Sequence, residues 1–324
     1  MKPFNSFLTS QLHAFLDYWQ EQGHTIRTYQ YYLLAFDRYL KEKEADWASF
    51  QPAFFLQMMA DITHTPNHAN KFLLTIRTFF QFLLRRGYVN ENPLKDIPYL
   101  KQHPSVPFVF SPEQTNLLLA SVCRRIRRTQ GFFLRDLGIY LVIILLARCG
   151  MRISEPLRLR LKHYRREEAT LYIEKTKFNK DRLIPIPKTV LEEIENYLSV
   201  RHCLRPHDDN PYLIAGKGQN PFRDNQVRYV FHQAVRDIGL RQTRKVMGTM
   251  NFNPPRPHSL RHSFAINTLN DIQKRGESRR YALPILAAFL GHSHYKCSSV
   301  YLKVSDAQSR QDLYDFTVWQ DWKR

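Results

Sequence analysis

The chain has 324 residues and carries 48 Lys and Arg against 29 Asp and Glu, a formal net charge of +19. At 43% hydrophobic and 24% charged it has a globular balance, which excludes a disordered chain, and its length suits two domains of roughly 100–200 residues. The longest apolar run, Gly138 to Ala147, falls short of the ~20 residues of a membrane helix, and no charged head precedes an apolar block at the N-terminus, so membrane and secreted classes are excluded.

So large an excess of positive charge favours a polyanionic partner, nucleic acid or an anionic membrane face. The four cysteines, Cys123, Cys149, Cys203 and Cys297, are widely spaced and form no C-x-x-C pair; they are expected as buried free thiols in a reducing compartment.

In the first part of the chain Leu8, Leu12, Phe15, Leu16 and Trp19 recur at helical spacing, as do Tyr29, Tyr32, Leu33, Phe36 and Tyr39. A third stripe, Phe72, Leu73, Ile76, Phe79, Phe80, Leu83 and Leu84, runs to Arg85-Arg86-Gly87, a cationic last turn with a glycine stop. These aromatics share helical faces and are therefore expected in a core, not as base-stacking platforms. Residues 1–97 are predicted to form an all-helical domain. Pro98, Pro104 and Pro107 then keep the chain extended, and residues 98–108 are expected as a linker.

The second part, residues 109–324, opens on Ser111-Pro112-Glu113-Gln114: a serine cap, a proline at the first helical position and a glutamine placed for a capping box. A buried helix is expected over about Leu137–Ala147. Two short strands follow, Thr170–Glu174 and Arg182–Ile186, joined as a hairpin by the lysine-rich Lys175 to Asp181. Helices resume at Val190, Leu191, Ile194, Tyr197, Leu198 and at Val227, Val230, Phe231, Ala234, Val235, Ile238. Gly216-Lys217-Gly218 has the wrong spacing for a phosphate loop and reads as a turn. The expected fold class is mainly α, with a small β-hairpin in an α+β second domain. Residues 1–107 have a net charge of +2 and residues 108–324 of +17, so the excess is concentrated after the linker.

Four clusters in this basic part carry chemistry. They are Cys149-Gly150-Met151-Arg152-Ile153-Ser154-Glu155, the lysine hairpin, Pro257-His258-Ser259-Leu260-Arg261-His262, and Leu290-Gly291-His292 with Tyr301 nine residues later. Two arginines, a lysine, two histidines and a tyrosine suit phosphoryl transfer without a metal. Displacement at a phosphodiester builds charge on the non-bridging oxygens, which two guanidiniums can fork onto. The departing 5′-oxygen needs a proton from a positioned acid, and a tyrosine nucleophile, of pKa ~10 when unperturbed, needs a base and a positive field. The H-x3-H spacing of His258 and His262 lacks the glutamate of H-E-x-x-H, and no metal site is expected. His262 reads as a packed or hydrogen-bonding structural histidine.

As an ordered set, G-M-R-I-S-E, a hairpin lysine, H-S-L-R-H and L-G-H-x8-Y resemble the tyrosine recombinases, the phage-integrase and Xer-like group. The resemblance covers essentially the whole chain and implies a two-domain clamp around duplex DNA, its helical N-terminal core-binding domain on one face and the basic catalytic domain on the other. It implies that Arg152 and Arg261 clamp the scissile phosphate, that Lys177 protonates the leaving 5′-hydroxyl, that His258 is a general acid–base, that His292 donates to the phosphate and that Tyr301 is the nucleophile. Glu155, on the same helical face as Arg152, would orient that arginine. Religation would need neither ATP, metal nor any other cofactor.

Two departures from the family pattern stand out. The hairpin reads Thr176-Lys177-Phe178 in place of glycine–lysine–glycine, which leaves Lys175 and Lys180 as rivals to Lys177. Pro156 follows Glu155 and is tolerable only in a first helical turn, which would put Arg152 just before a helix. The resemblance further implies double-stranded DNA sites, a synaptic tetramer, partner recombinases or accessory proteins, no membrane, and a bacterial cytoplasm or nucleoid. Leu313, Tyr314, Phe316, Val318 and Trp319 give the C-terminal segment enough apolar content to dock on a neighbour. A type IB-like topoisomerase, or an inactive architectural DNA-binding protein, are the alternative readings.

Overall fold

The apolar stripes of the first hundred residues fold as helices in the computed structural model, which describes residues 3–63, 65–102, 105–174, 181–247, 250–291 and Tyr301. These are α1 (Thr9–Glu21), α2 (Arg27–Glu42), α3 (Pro52–Ile62) and α4 (Pro66–Arg85). Pro52 and Pro66 each stand in a first turn, where the missing N–H costs nothing, and the Thr65 hydroxyl accepts the His68 N–H to cap α4. The stripe residues Phe15, Phe36, Phe72, Phe79 and Phe80 are fully buried. Their rings meet edge to face, with Phe15 and Phe79 at 5.5 Å between centroids, so the aromatics are core as expected. The chain after α4 folds back onto it. The Asn70 amide both donates to and accepts from the backbone of Leu100 at 2.8 Å, and Arg77 donates to the carbonyls of Leu94 and Ile97.

The chain separates into two compact units, residues 1–103 and 104–324. The second is built on α5 (Pro112–Arg124) and α6 (Gln130–Arg148), after a short strand β1 (Ser105–Val106). The capping box at Ser111 and Gln114 is present in both directions. Helix α6 reaches 19 residues, longer than its apolar run suggested, and by length and composition alone it could cross a membrane. It is instead a central helix, apolar on every side because α5 and the later helices α7, α8 and α9 all pack on it.

The hairpin is the core of a three-stranded antiparallel sheet: β2 (Tyr164–Arg165), which periodicity did not reveal, β3 (Thr170–Ile173) and β4 (Arg182–Pro185), with Ile173 opposite Arg182. The helices α7 (Lys188–Leu204) and α8 (Asp224–Asp237) follow where expected. A second sheet pairs β5 (Lys245–Met247) and β6 (Met250–Phe252) antiparallel, with β1 parallel to β6. The last described helices are α9 (Pro257–Lys274) and α10 (Arg279–Leu290). Gly216 to Asn220 closes as a turn through the Gly216 N–H on the Asn220 carbonyl.

The cysteines depart from expectation. Cys149 is buried, but Cys123 and Cys203 lie on outer faces of α5 and α7 and are exposed, while Cys297 lies outside the described residues. Thiols need burial only where the helix face they occupy points inward. Lys177, with its rivals Lys175 and Lys180, also lies outside the described residues, as do His292 and the tail from 302 onward.

Candidate active site

The site begins where α6 stops. Gly150 takes φ +58, a left-handed conformation, and a Cβ there would lie 2.5 Å from Cδ1 of Phe264. Free to turn this way, the backbone directs the Gly150 carbonyl at α9, where it accepts from Nη1 of Arg261 at 2.8 Å. Two residues on, the Arg152 N–H donates to Oε2 of Glu155 at 2.8 Å and its Nη1 to Oε1 at 2.9 Å. The expectation that Arg152 and Glu155 share a helical face is not met. Pro156 opens a single 3-10 turn, Pro156–Arg158, and Glu155 immediately precedes it, so the pair closes across a tight turn in which the Glu155 N–H returns to the Arg152 carbonyl at 2.8 Å.

Helix α9 supplies the next group. Pro257 occupies its first turn and the Ser259 hydroxyl accepts the Arg256 N–H at 3.1 Å. From that start His258, Arg261 and His262 fall at i, i+3 and i+4 and share one face. The Ser263 hydroxyl accepts the Phe110 N–H at 2.8 Å and donates to the Ser259 carbonyl, which ties the helix to the entrance of the unit.

The third element is the C-terminus of α10, where Gly291 adopts φ +66. The last carbonyls of a helix lack partners within it and form the negative end of its dipole. Three arginines from three different elements cap three successive ones. Nε of Arg182 donates to Phe289 at 2.8 Å, Nη2 of Arg261 to Leu290, and Nη2 of Arg152 to Gly291 at 3.0 Å. The two arginines singled out in the sequence are thus brought together on one helix end.

Arg182 is the residue that sequence reasoning missed; it read as a strand position. Its Nη1 and Nη2 chelate the Glu155 carboxylate at 3.0 and 2.9 Å, and its side chain is only 9% exposed. A cation opening a short strand whose other members, Leu183, Ile184 and Pro185, are apolar was the available signal. Burial alone would raise the Glu155 pKa; the hydrogen bond and charge of Arg182, with the Arg152 N–H and the charge of Arg261, outweigh it and hold the carboxyl below its ordinary value. Two guanidiniums thus bond the Glu155 carboxylate and the charge of a third, that of Arg261, acts on it.

Arg261 is 1% exposed and Tyr301 2%, whereas Arg152 is partly open and His258 exposed. The first two form the floor and the latter two the mouth. His262 stands between His258 and Tyr301, with ring centroids at 4.6 and 5.7 Å and edge-on planes. Burial, then Arg152, lowers the Arg261 pKa to about 10, against the pull of Tyr301 and Glu155, so it remains a cation at neutral pH. Protein packed round the His258 ring, then the charges of Arg261 and Arg152, push its pKa down to about 4. The imidazole is neutral at neutral pH.

Beside the start of α9 a cavity of about 600 Å³ is lined by Arg228, His232, Arg236, Arg241 and Arg256. Desolvation and the charges of Arg228, Arg236 and Arg256 lower the His232 pKa. Among the described residues no three His, Cys, Asp or Glu side chains converge as metal ligands would.

The family described as the phage integrase family matches residues 110–308, and the phage integrase N-terminal SAM-like domain matches residues 12–87. The tyrosine recombinase XerA of Pyrococcus horikoshii is 26% identical over 312 residues, covering 95% of this chain and 93% of its own. The fold is that of the XerH site-specific recombinase bound to palindromic difH substrate, with TM-score 0.68 and 19% identity over 91% of this chain and 80% of that one. A lambda integrase dimer bound to a COC′ core site aligns with TM-score 0.65 and 16% identity, over 91% and 76%.

Proposed function

The chain belongs to the phage integrase family and is a tyrosine-type site-specific recombinase, and on that footing we propose how its own residues cut and rejoin DNA. The observation that carries the reading is the convergence of Arg152 and Arg261 at one helix end, with the His262 ring in contact with both His258 and Tyr301.

Arg152 and Arg261 hold the non-bridging oxygens of the scissile phosphate and stabilise the charge that builds on them. Among the described residues each side chain makes two hydrogen bonds to the protein, out of the five N–H donors of a guanidinium. The Tyr301 hydroxyl oxygen attacks phosphorus and gives its proton to neutral His258. The bond from phosphorus to the 5′-oxygen breaks, and that oxygen takes a proton from Lys177, leaving a 3′-phosphotyrosyl link and a 5′-hydroxyl. His292 adds a hydrogen bond to the phosphate. The link conserves the phosphodiester, so the reverse steps join the strands without ATP. With Arg261 and Tyr301 on the floor, the phosphate enters past Arg152 and His258.

The same reading makes residues 1–97 a core-binding domain, 98–108 a linker and 109–324 the catalytic domain. Duplex DNA is the partner, held in a synaptic tetramer in the cytoplasm, with accessory proteins or partner recombinases directing the outcome. The arginine-lined cavity beside α9 supplies charge for a run of phosphates, and affinity falls steeply with salt. The C-terminal segment docks on a neighbouring protomer; a chain truncated before Asp312 that still assembles on DNA would sink this part.

A DNA site with a nick beside the scissile phosphate tests the chemistry. Wild type yields a covalent protein–DNA adduct through the 3′-phosphate; Tyr301→Phe binds the site and yields none. An adduct with Tyr301→Phe would overturn the assignment. Relaxation of any supercoiled plasmid without strand exchange between two sites would favour a topoisomerase instead.

A further inference from the structure

Arg182 differs from the two clamp arginines in what it does with its guanidinium. Arg152 puts one nitrogen on Glu155 and one on the Gly291 carbonyl, and its side chain stays 23% exposed. Arg182 commits all three nitrogens to the protein: Nε to the Phe289 carbonyl, Nη1 and Nη2 to the two oxygens of Glu155. It has no edge left to fork onto a phosphate. Yet it touches both groups that set the position of Arg152, the carboxylate and the end of α10. Without it, Glu155 would be held by Arg152 alone and could swing with that side chain.

We propose that Arg182 is a positioning residue for the phosphate clamp, locking Glu155 and the C-terminus of α10 into one frame on which Arg152 is aimed. A bidentate fork plus a third bond fixes the carboxylate in plane as well as in distance, which a lysine ammonium cannot do. Arg182 is also the first residue of β4, opposite Ile173, so the frame includes the strand that follows the lysine-bearing residues 175–180. Glu155 takes two bonds from each arginine, but only Arg182 reaches both of its oxygens with a guanidinium fork. This role rests on the recombinase reading above.

Single-turnover cleavage of the nicked site, with DNA affinity measured in parallel, tests it on Arg182→Met, Arg182→Lys and the double variant Arg152→Ala/Arg182→Met. The Arg182→Met rate is expected to fall by ~10²-fold, the scale of one lost transition-state donor, while affinity changes less than ~3-fold. Arg182→Lys, which keeps the charge and loses the fork, recovers less than ~10-fold of the loss and guards against a Met variant that does not fold. Because Arg182 acts through Arg152, the double variant cleaves no more slowly than Arg152→Ala alone, whereas independent sites would multiply their defects. A neutral methylphosphonate at the scissile position removes the charge that Arg152 stabilises and should shrink both single defects together.

Wild-type cleavage by a folded Arg182→Met protein would overturn the proposal, and so would multiplied defects in the double variant. A large loss of affinity would make Arg182 a phosphate ligand instead. If wild type itself forms no adduct, it is the recombinase reading that fails; if wild type cleaves and the variant matches it, only this role does.

Discussion

Replacing Glu155 by Gln would strip the carboxylate that Arg152 and Arg182 both bond while keeping its shape. The carboxylate accepts four hydrogen bonds at 2.8–3.0 Å, two from Arg152 and two from Arg182, and its side chain is 7% exposed. Each oxygen takes one donor from each arginine, so the Gln carbonyl can serve one such pair, but the amide N–H2 then faces one N–H of Arg152 and one of Arg182. At ~1.5–3 kcal/mol for a hydrogen bond to a charged group, two lost bonds amount to ~3–6 kcal/mol. That agrees with the ~3–5 kcal/mol expected when one partner is removed from a buried ion pair. Urea unfolding of the full chain should show the loss as a lower midpoint. Against the ~5–15 kcal/mol total of a typical domain the variant stays folded in buffer, so its chemistry can be measured. Arg152, no longer aimed, should cost cleavage of the nicked site ~10²–10³-fold. A variant within ~0.5 kcal/mol of wild type, the scale of an ordinary surface substitution, would show that Glu155 does not hold the clamp.

Other residues make separate predictions. Gly150→Ala combines a left-handed backbone, ~1–2 kcal/mol for a residue with a Cβ, with a 2.5 Å approach to the Phe264 ring; a reduced unfolding midpoint and weaker cleavage are expected, and unchanged stability would refute the steric account. His258 has a depressed pKa, so the unfolded chain binds more protons between its ordinary value near 6.5 and the folded value of about 4. Its contribution to stability is complete above that window and is lost as pH falls through it, while the depressed Glu155 carboxyl adds a loss at still lower pH. Unfolding curves from pH 7 to 4 should flatten over the upper part of this range in His258→Asn; an identical slope would exclude the histidine. Burial pushes the Cys149 thiol up to about 12. In single-cysteine variants a maleimide should therefore label Cys123 and Cys203 rapidly in the native chain and Cys149 only on unfolding.

Local features were legible wherever a short-range rule decides them. The capping box at Ser111, the glycine stop after Arg85, the aromatic stripes and the hairpin all follow from residues a few positions apart. The ordered polar set pointed to phosphoryl transfer because those chemical types are demanded together. Pro156 also told more than the assumed helix, since its missing N–H dictates that Glu155 precede a new turn. Helix α6 is longer than its apolar run because its first turns, Gln130 to Asp136, break that run with Arg135 and Asp136, and pattern alone does not join Phe132, Phe133 and Leu134 to it.

What sequence could not decide is which cations become ligands and which become scaffold. Arg152, Arg182 and Arg261 are alike in type, and all end on the last carbonyls of α10. The bonds that sort them span 27 to 139 positions along the chain. The amino-acid order alone determined the helices, the hairpin, the concentration of positive charge after the linker and the chemical groups on offer, because each is a matter of local spacing or composition. Only the tertiary structure placed one helix terminus, with its unpaired carbonyls and negative dipole end, at the meeting point of three guanidiniums and the Glu155 carboxylate. An arrangement of that kind depends on where distant segments pack, and no short-range pattern encodes it.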